Sequence, residues 1–130
     1  MALAPDVFTV LLFLGALQVK HFICDGPLQS KAMVDEKRHY GARLGVLHAA
    51  IHGFGALIVM LMFVGLVPLS FTLALADALI HYHVDFTKEN VVRKMGWTVV
   101  QGPFWWAMSF DQMLHQVTYL ALAAFAFSRG

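Results

Sequence analysis

Four stretches of nearly unbroken apolar residues run along the chain, from Pro5 to Pro27, Leu44 to Val67, Pro68 to Lys88 and Pro103 to Phe127. Each is about the 20 residues an α-helix needs to cross the hydrocarbon core of a bilayer. The four prolines stand at the edges of these stretches, where a missing N–H is tolerated at a first turn and a helix is discouraged from continuing. The pattern predicts an all-α fold. It is one domain, residues 1–130, an integral membrane bundle of four transmembrane helices running up-down-up-down. The first stretch does not read as a cleavable leader, because no basic region precedes it and Lys20-His21 stand where small residues should mark a cleavage site.

The connections between stretches predict an orientation. Lys31, Lys37, Arg38 and Arg43 separate the first two stretches, against Asp35 and Glu36; Lys88, Arg93 and Lys94 separate the last two, against Glu89. The turn from Gly65 to Pro68 is uncharged and the N-terminus offers only Asp6. Lys and Arg stay on the cytoplasmic side, which places both basic loops there and both termini outside. Gly45, Ala49 and Gly53 form a small-residue stripe suited to a close helix neighbour. Trp105 and Trp106 suit an interfacial anchor. Lys20, Lys31 and Lys88 read as snorkelling or positive-inside residues. Composition agrees with a membrane protein: 59% of residues are apolar and only 13% charged, about half the charged fraction of a soluble domain. A net charge of +1 with no basic-aromatic stripe or phosphate-cradling glycine loop excludes a nucleic-acid partner. The single cysteine, Cys24, excludes an internal disulfide.

What changes this picture is a set of ionisable residues inside the apolar stretches, where they are expensive and normally face the protein interior or a water-filled cavity. They come as pairs four residues apart: His21 and Asp25, His48 and His52, His81 and Asp85, Asp111 and His115. Residues at that spacing share one helix face. The pairs close the first and third stretches and open the second and fourth, so antiparallel helices bring all four to one level. That level is about 5 to 15 Å in from the basic loops, at 1.5 Å per residue. His83 lies about 200° from the stripe of His81 and Asp85 and falls outside the set. Cys24 is a weak candidate, about 100° from Asp25.

His and carboxylate groups converging from facing helices are a recurring way to build a metal site. Eight donors exceed one tetrahedral ion, so the sequence predicts one or two divalent ions, Zn or Fe. The ligands come from His21, Asp25, His48, His52, His81, Asp85, Asp111 and His115. Gln29, Gln112 and Gln116 stand as hydrogen-bonding neighbours or helix contacts. An ion that acidifies its bound water, with Asp25 or Asp111 taking the proton, makes a metal-dependent hydrolase of a membrane-embedded substrate. Two further readings stay open. One is a proton or metal carrier; the other is a structural or accessory subunit of a larger membrane complex or homo-oligomer.

The residues His21-Phe-Ile-Cys-Asp25 with Gln29, Leu47-His48 with His52, Ile80-His81-Tyr82-His83-Val84-Asp85 with Lys88, and Asp111-Gln112 with His115 and Tyr119 carry a resemblance over nearly the whole chain. It is to a family of small bacterial inner-membrane proteins defined only as a domain of unknown function. The resemblance implies a multi-pass protein of the bacterial inner membrane and implies no activity. More distantly, the His/Asp style is similar to membrane zinc hydrolases of the ceramidase and progestin-receptor superfamily. Those have more helices and a catalytic serine with no counterpart here, so no residue role is carried over from them.

Overall fold

A computed structural model describes residues 5–128, and among them the chain forms five α-helices and no strand. Helix α1 spans Val7–Asp25, α2 Lys31–Glu36, α3 Arg43–Phe63, α4 Val67–Met95 and α5 Gly102–Phe127. Their ends follow from local chemistry. Asp6 caps α1, its Oδ1 accepting from the Thr9 N–H at 2.7 Å, and that bond holds the carboxyl below the ordinary aspartate range. Pro68 and Pro103 sit in the first turns of α4 and α5, where the sequence pattern put them. Gly96, at φ 67°, ends α4, with Trp97 N–H donating to Val92 O at 3.1 Å, the wrap that a left-handed glycine permits.

Two elements depart from the apolar pattern. The short helix α2 lies in what reads as a loop, because its six residues are too few and too polar to signal by hydropathy. It is capped by Ser30, whose Oγ accepts from Met33 N–H at 3.2 Å, and its Glu36 Oε2 accepts from Leu44 N–H at 2.8 Å, capping α3 in turn. Helix α4 runs seven residues past Lys88 to Met95. At 29 residues it is about 43 Å long, roughly 13 Å more than a hydrocarbon core is thick.

The packing is a closed circuit: α1 against α3, α3 against α4, α4 against α5 and α5 back on α1, with α2 on α3. Each neighbouring pair is antiparallel. Phe13 meets Phe63 and Phe127, near one end of α1, α3 and α5, while Asp25 meets His48 and His52 at the other end. Gly53 lets α3 and α4 touch: a Cβ there would stand 2.9 Å from the Ala78 Cβ.

Burial is inverted relative to a soluble protein. Large apolar side chains are exposed on all four long helices, among them Phe8, Leu12, Phe54, Met62, Phe71, Leu79, Phe110 and Leu120. Three helices, α1, α3 and α4, are long and apolar enough to cross a membrane. Helix α5 falls short of that measure, and its polar Asp111, Gln112, His115 and Gln116 account for the deficit. The interior is divided lengthwise. One end holds Phe13, Leu17, Val59, Met60, Leu73, Leu122, Ala123 and Ala126. The other holds buried Lys20, His21, Lys37, His48, His52, Asp77, His81, Asp85, Asp111 and His115.

Candidate metal centre

The i, i+4 pairs all turn inward, as their shared helix faces require. Two groups have donor atoms close enough to hold an ion: Asp25, His48, His52 and His81, and a second of His81, Asp85 and His115. In the first, Asp25 Oδ1 lies 2.9 Å from His52 Nε2, 3.1 Å from His48 Nε2 and 3.8 Å from His81 Nε2. His48 Nε2 and His81 Nε2 are 3.2 Å apart. Four donors on one tetrahedral ion, at bonds of 2.0–2.1 Å, stand about 3.3 Å from one another. The observed spacings bracket that edge.

The chemistry of the donor set also fits a cation. The buried Nδ1 atoms of His48 and His81 have no hydrogen-bond partner, while their Nε2 atoms face each other and the same carboxylate oxygen. Three ring nitrogens and one carboxylate oxygen therefore point at one volume. His52, His48 and His81 are almost wholly buried, and Asp25, with 21% of its side chain exposed, is the ligand candidate that reaches outward.

His21 is not in either group. Its Nε2 lies 3.0 Å from Asp25 Oδ2 and 3.0 Å from Gln112 Oε1, and its Nδ1 lies 2.8 Å from Tyr119 OH. It grips the second oxygen of Asp25 and leaves Oδ1 to the three other histidines, the role of an outer partner that orients a ligand. Asp111 also stands outside both groups: its Oδ1 is 3.5 Å from His115 Nε2 and its Oδ2 accepts from Gln112 Nε2 at 3.1 Å. His115 is shared between Asp111 and Asp85, whose Oδ1 is 3.3 Å from the same nitrogen. Asp85 Oδ2 turns to His81 Nε2 at 3.2 Å and His48 Nε2 at 3.5 Å. Because the two groups share His81, a single ion in the four-donor group leaves Asp85, His115 and Asp111 as a protonatable set beside it.

Lysines that read as surface residues belong to this interior. Lys20 does not snorkel. Its ammonium donates to Asp77 Oδ2 at 2.6 Å and to Tyr119 OH at 3.2 Å, and lies 3.4 Å from His52 Nδ1. Gly55 makes room for the lysine stem, since a Cβ there would come within 2.7 Å of Lys20 Cγ. Lys37, at the end of α2, reaches in to Asp85 Oδ2 at 2.8 Å and donates to Gln29 Oε1 at 2.5 Å. Lys31 does stay at the surface, paired with Asp35. The sequence signal for Lys20 was Asp77, an intramembrane carboxylate with no partner of its own in the four pairs. Cys24 is buried with Sγ directed at Ile51 O, 3.8 Å away, apart from both groups. His83 is exposed and sits 3.0 Å from Tyr40 OH.

A cavity of about 660 Å³ opens onto the carboxylate side of the centre, lined by His21, Asp25, Asp85 and Asp111 with Lys37 and Lys88. The family described as a protein of unknown function, DUF3307, matches residues 11–129, a span that contains every residue of the centre. No curated protein and no solved structure matches the chain.

Proposed function

We propose that this chain, which belongs to the DUF3307 family, is a metal-dependent hydrolase of the bacterial inner membrane that acts on a membrane-embedded substrate. In this reading α5 crosses the bilayer with the three more apolar helices. Its Asp111 and His115 are buried while Phe110, Met113, Val117, Leu120 and Phe125 are exposed, so much of its low average hydropathy comes from the site it carries. The basic loops lie on the cytoplasmic side, which puts the centre in the cytoplasmic half and both termini in the periplasm.

One divalent ion, Zn or Fe, is held by His48, His52, His81 and Asp25, a donor set suited to either metal. The observation that carries the reading is the convergence of four donors from α1, α3 and α4 beside a cavity, with one of them, Asp25, open to it. An ion there would supply Lewis-acid activation of water, with Asp25, the ligand open to the cavity, as the donor that would yield a position to it. Asp111, on the cavity wall and hydrogen-bonded to Gln112, is the base that takes the proton. His21 and Tyr119 keep Asp25 in place, and Lys37 offsets the charge of Asp85.

A second reading rests on the count of ligands. Four protein donors saturate a tetrahedral ion, which is the habit of structural sites, and the chain is then an accessory subunit of a membrane complex held in shape by its metal. A carrier is disfavoured, because the apolar plug around Phe13, Leu17 and Met60 blocks the other half of the path.

Metal analysis by mass spectrometry tests the centre. Detergent-purified protein, prepared without chelator, should carry about one equivalent of Zn or Fe, and His48→Ala/His52→Ala should carry almost none, since two of four ligands are gone. Metal-free wild-type protein would overturn both the hydrolase and the structural-metal readings. Asp111→Asn separates those two: it should retain the metal, and loss of lipid-ester or lipid-amide hydrolysis by about a hundredfold or more supports the hydrolase.

A further inference from the structure

The outer surface carries a second space whose position bears on the substrate. Between α4 and α5 runs a groove of about 670 Å³, walled by Leu79, Ile80, Val84, Val91, Phe110 and Leu114, with Lys88 and Asp111 at its inner side. The same Lys88 and Asp111 line the inner cavity beside Asp25 and Asp85. Two further outer grooves, against α3 and α4, share no residue with that cavity. Of these three, the α4–α5 groove is the apolar surface that meets the polar interior.

Its level fits an amphiphile. Lys88 lies within two turns of Arg93 and Lys94, the basic residues of the last turn of α4; in the membrane-spanning reading its ammonium is then near the depth of lipid headgroups, where long cationic side chains snorkel. Groove residues such as Leu79 and Leu114 lie deeper, where acyl chains are. Four carboxylates and two ammonium groups line the inner cavity; Lys37 is held by Asp85, while Lys88 is paired with its chain neighbour Glu89, the partner that an anionic phosphate arriving from the groove has to displace.

We propose that the α4–α5 groove binds one acyl chain of a bilayer glycerophospholipid, with its phosphate drawn to Lys88 at the mouth of the inner cavity. This rests on the membrane-spanning reading, and it names the substrate class of the same centre: a phospholipid that enters sideways from the bilayer between α4 and α5.

Photocrosslinking tests it. The full chain is placed in vesicles of phosphatidylcholine and phosphatidylglycerol that contain a phosphatidylglycerol probe with a diazirine on one chain, and labelled residues are mapped by mass spectrometry. Labelling of residues 79–91 and 107–114 should exceed that of Val7, Phe8, Leu11 and Leu12, which as a group are exposed at least as much, by about fivefold, the effect of roughly 1 kcal/mol of preference. Ala107→Trp and Leu114→Trp, which fill the groove from different positions, should each abolish the excess while metal content stays at the wild-type value. Lys88→Gln should lower labelling by the phospholipid to the level given by a diacylglycerol probe of the same chains. Even labelling of both faces, or an excess that survives both tryptophan variants, overturns the groove. Equal labelling by the two probes in the wild type overturns the role of the phosphate. Because labelling is read without turnover, a metal-free protein would sink the metal centre and leave this result to stand or fall by itself.

Discussion

The two ends of the same helices are held together by opposite means. At one end, Phe13 packs edge-on against Phe63 and Phe127, at centroid distances of 5.7 and 5.1 Å, over fully buried Leu17 and Met60. At the other, five histidines, four aspartates and two lysines are buried or half-buried against one another. The apolar end depends on shape, because lipid tails are as apolar as the side chains and only packing favours the helix contacts. The polar end depends on partners: any one charge removed leaves another stranded in a low-dielectric interior. A stability core needs only the first arrangement. The second is expensive, and its expense is what makes it the candidate site.

Substitutions at the Lys20–Asp77 pair should show the contrast most strongly. Lys20→Met leaves the Asp77 carboxylate, 1% exposed, without its 2.6 Å partner. The expected loss is about 3 to 5 kcal/mol, the usual result of breaking a buried ion pair from one side. The double variant Lys20→Met/Asp77→Leu should recover most of it, since neither charge remains. Unfolding in mixed micelles reads both. A double variant no more stable than the single would mean the pair contributes by more than mutual neutralisation, through Tyr119 and His52, which Lys20 also touches.

How much of this was legible in the sequence differs between the halves in the same way. The ligand-bearing faces could be read from residues 21, 25, 48, 52, 81, 85, 111 and 115 because a period of four forces each pair onto one face, and apolar flanks force that face inward. The division of labour within the set could not. His21 and Asp111 have the same spacing as the others, yet His21 serves Asp25 from behind and Asp111 faces the cavity; only the crossing of helices decides which nitrogen reaches which oxygen. Lys20 looked like a snorkelling residue because a lysine near the end of an apolar run usually is one. Its burial depends on Gly55 of α3, whose missing side chain leaves the channel for the lysine stem, a complementarity between two helices that no local window contains. Lys37 was hidden for a related reason. It is carried inward by α2, which is seated on α3 by the hydrogen bond from Leu44 N–H to Glu36 and by the close approach of Gly45 to the Glu36 and Lys37 backbone, contacts between segments that no local window contains. The length of α4 was underread because hydropathy fades at Lys88, whereas the helix continues to the stop signal at Gly96.

In the apolar half, Phe13→Ala should cost less than the Lys20 substitution and act differently. A Phe→Ala change in a soluble core costs about 3 to 5 kcal/mol. In a bilayer the separated helices face lipid rather than water, so the transfer share of that loss disappears. About 1 to 2 kcal/mol of lost packing is expected, with metal content unchanged. Loss of metal in Phe13→Ala would show that the two halves are coupled, and the division of the interior would have to be abandoned.

The smallest effect should come from His83, and it sharpens the comparison most cheaply. His83 is two residues from His81, in the same run of polar residues on α4, but its face is turned outward. It is exposed, and among the described residues its hydrogen-bond partners are Tyr40 OH, at 3.0 Å, and Leu79 O, at 2.7 Å. His83→Ala should change stability by no more than about 0.5 kcal/mol, as for surface substitutions generally, and leave one equivalent of metal in place. His81→Ala, two positions away, removes the ligand common to both donor groups and should empty the centre. Metal analysis of these two variants side by side asks whether the helical face, rather than the presence of histidine on this stretch of α4, selects the ligand. Metal loss in both, or in neither, would mean that it does not.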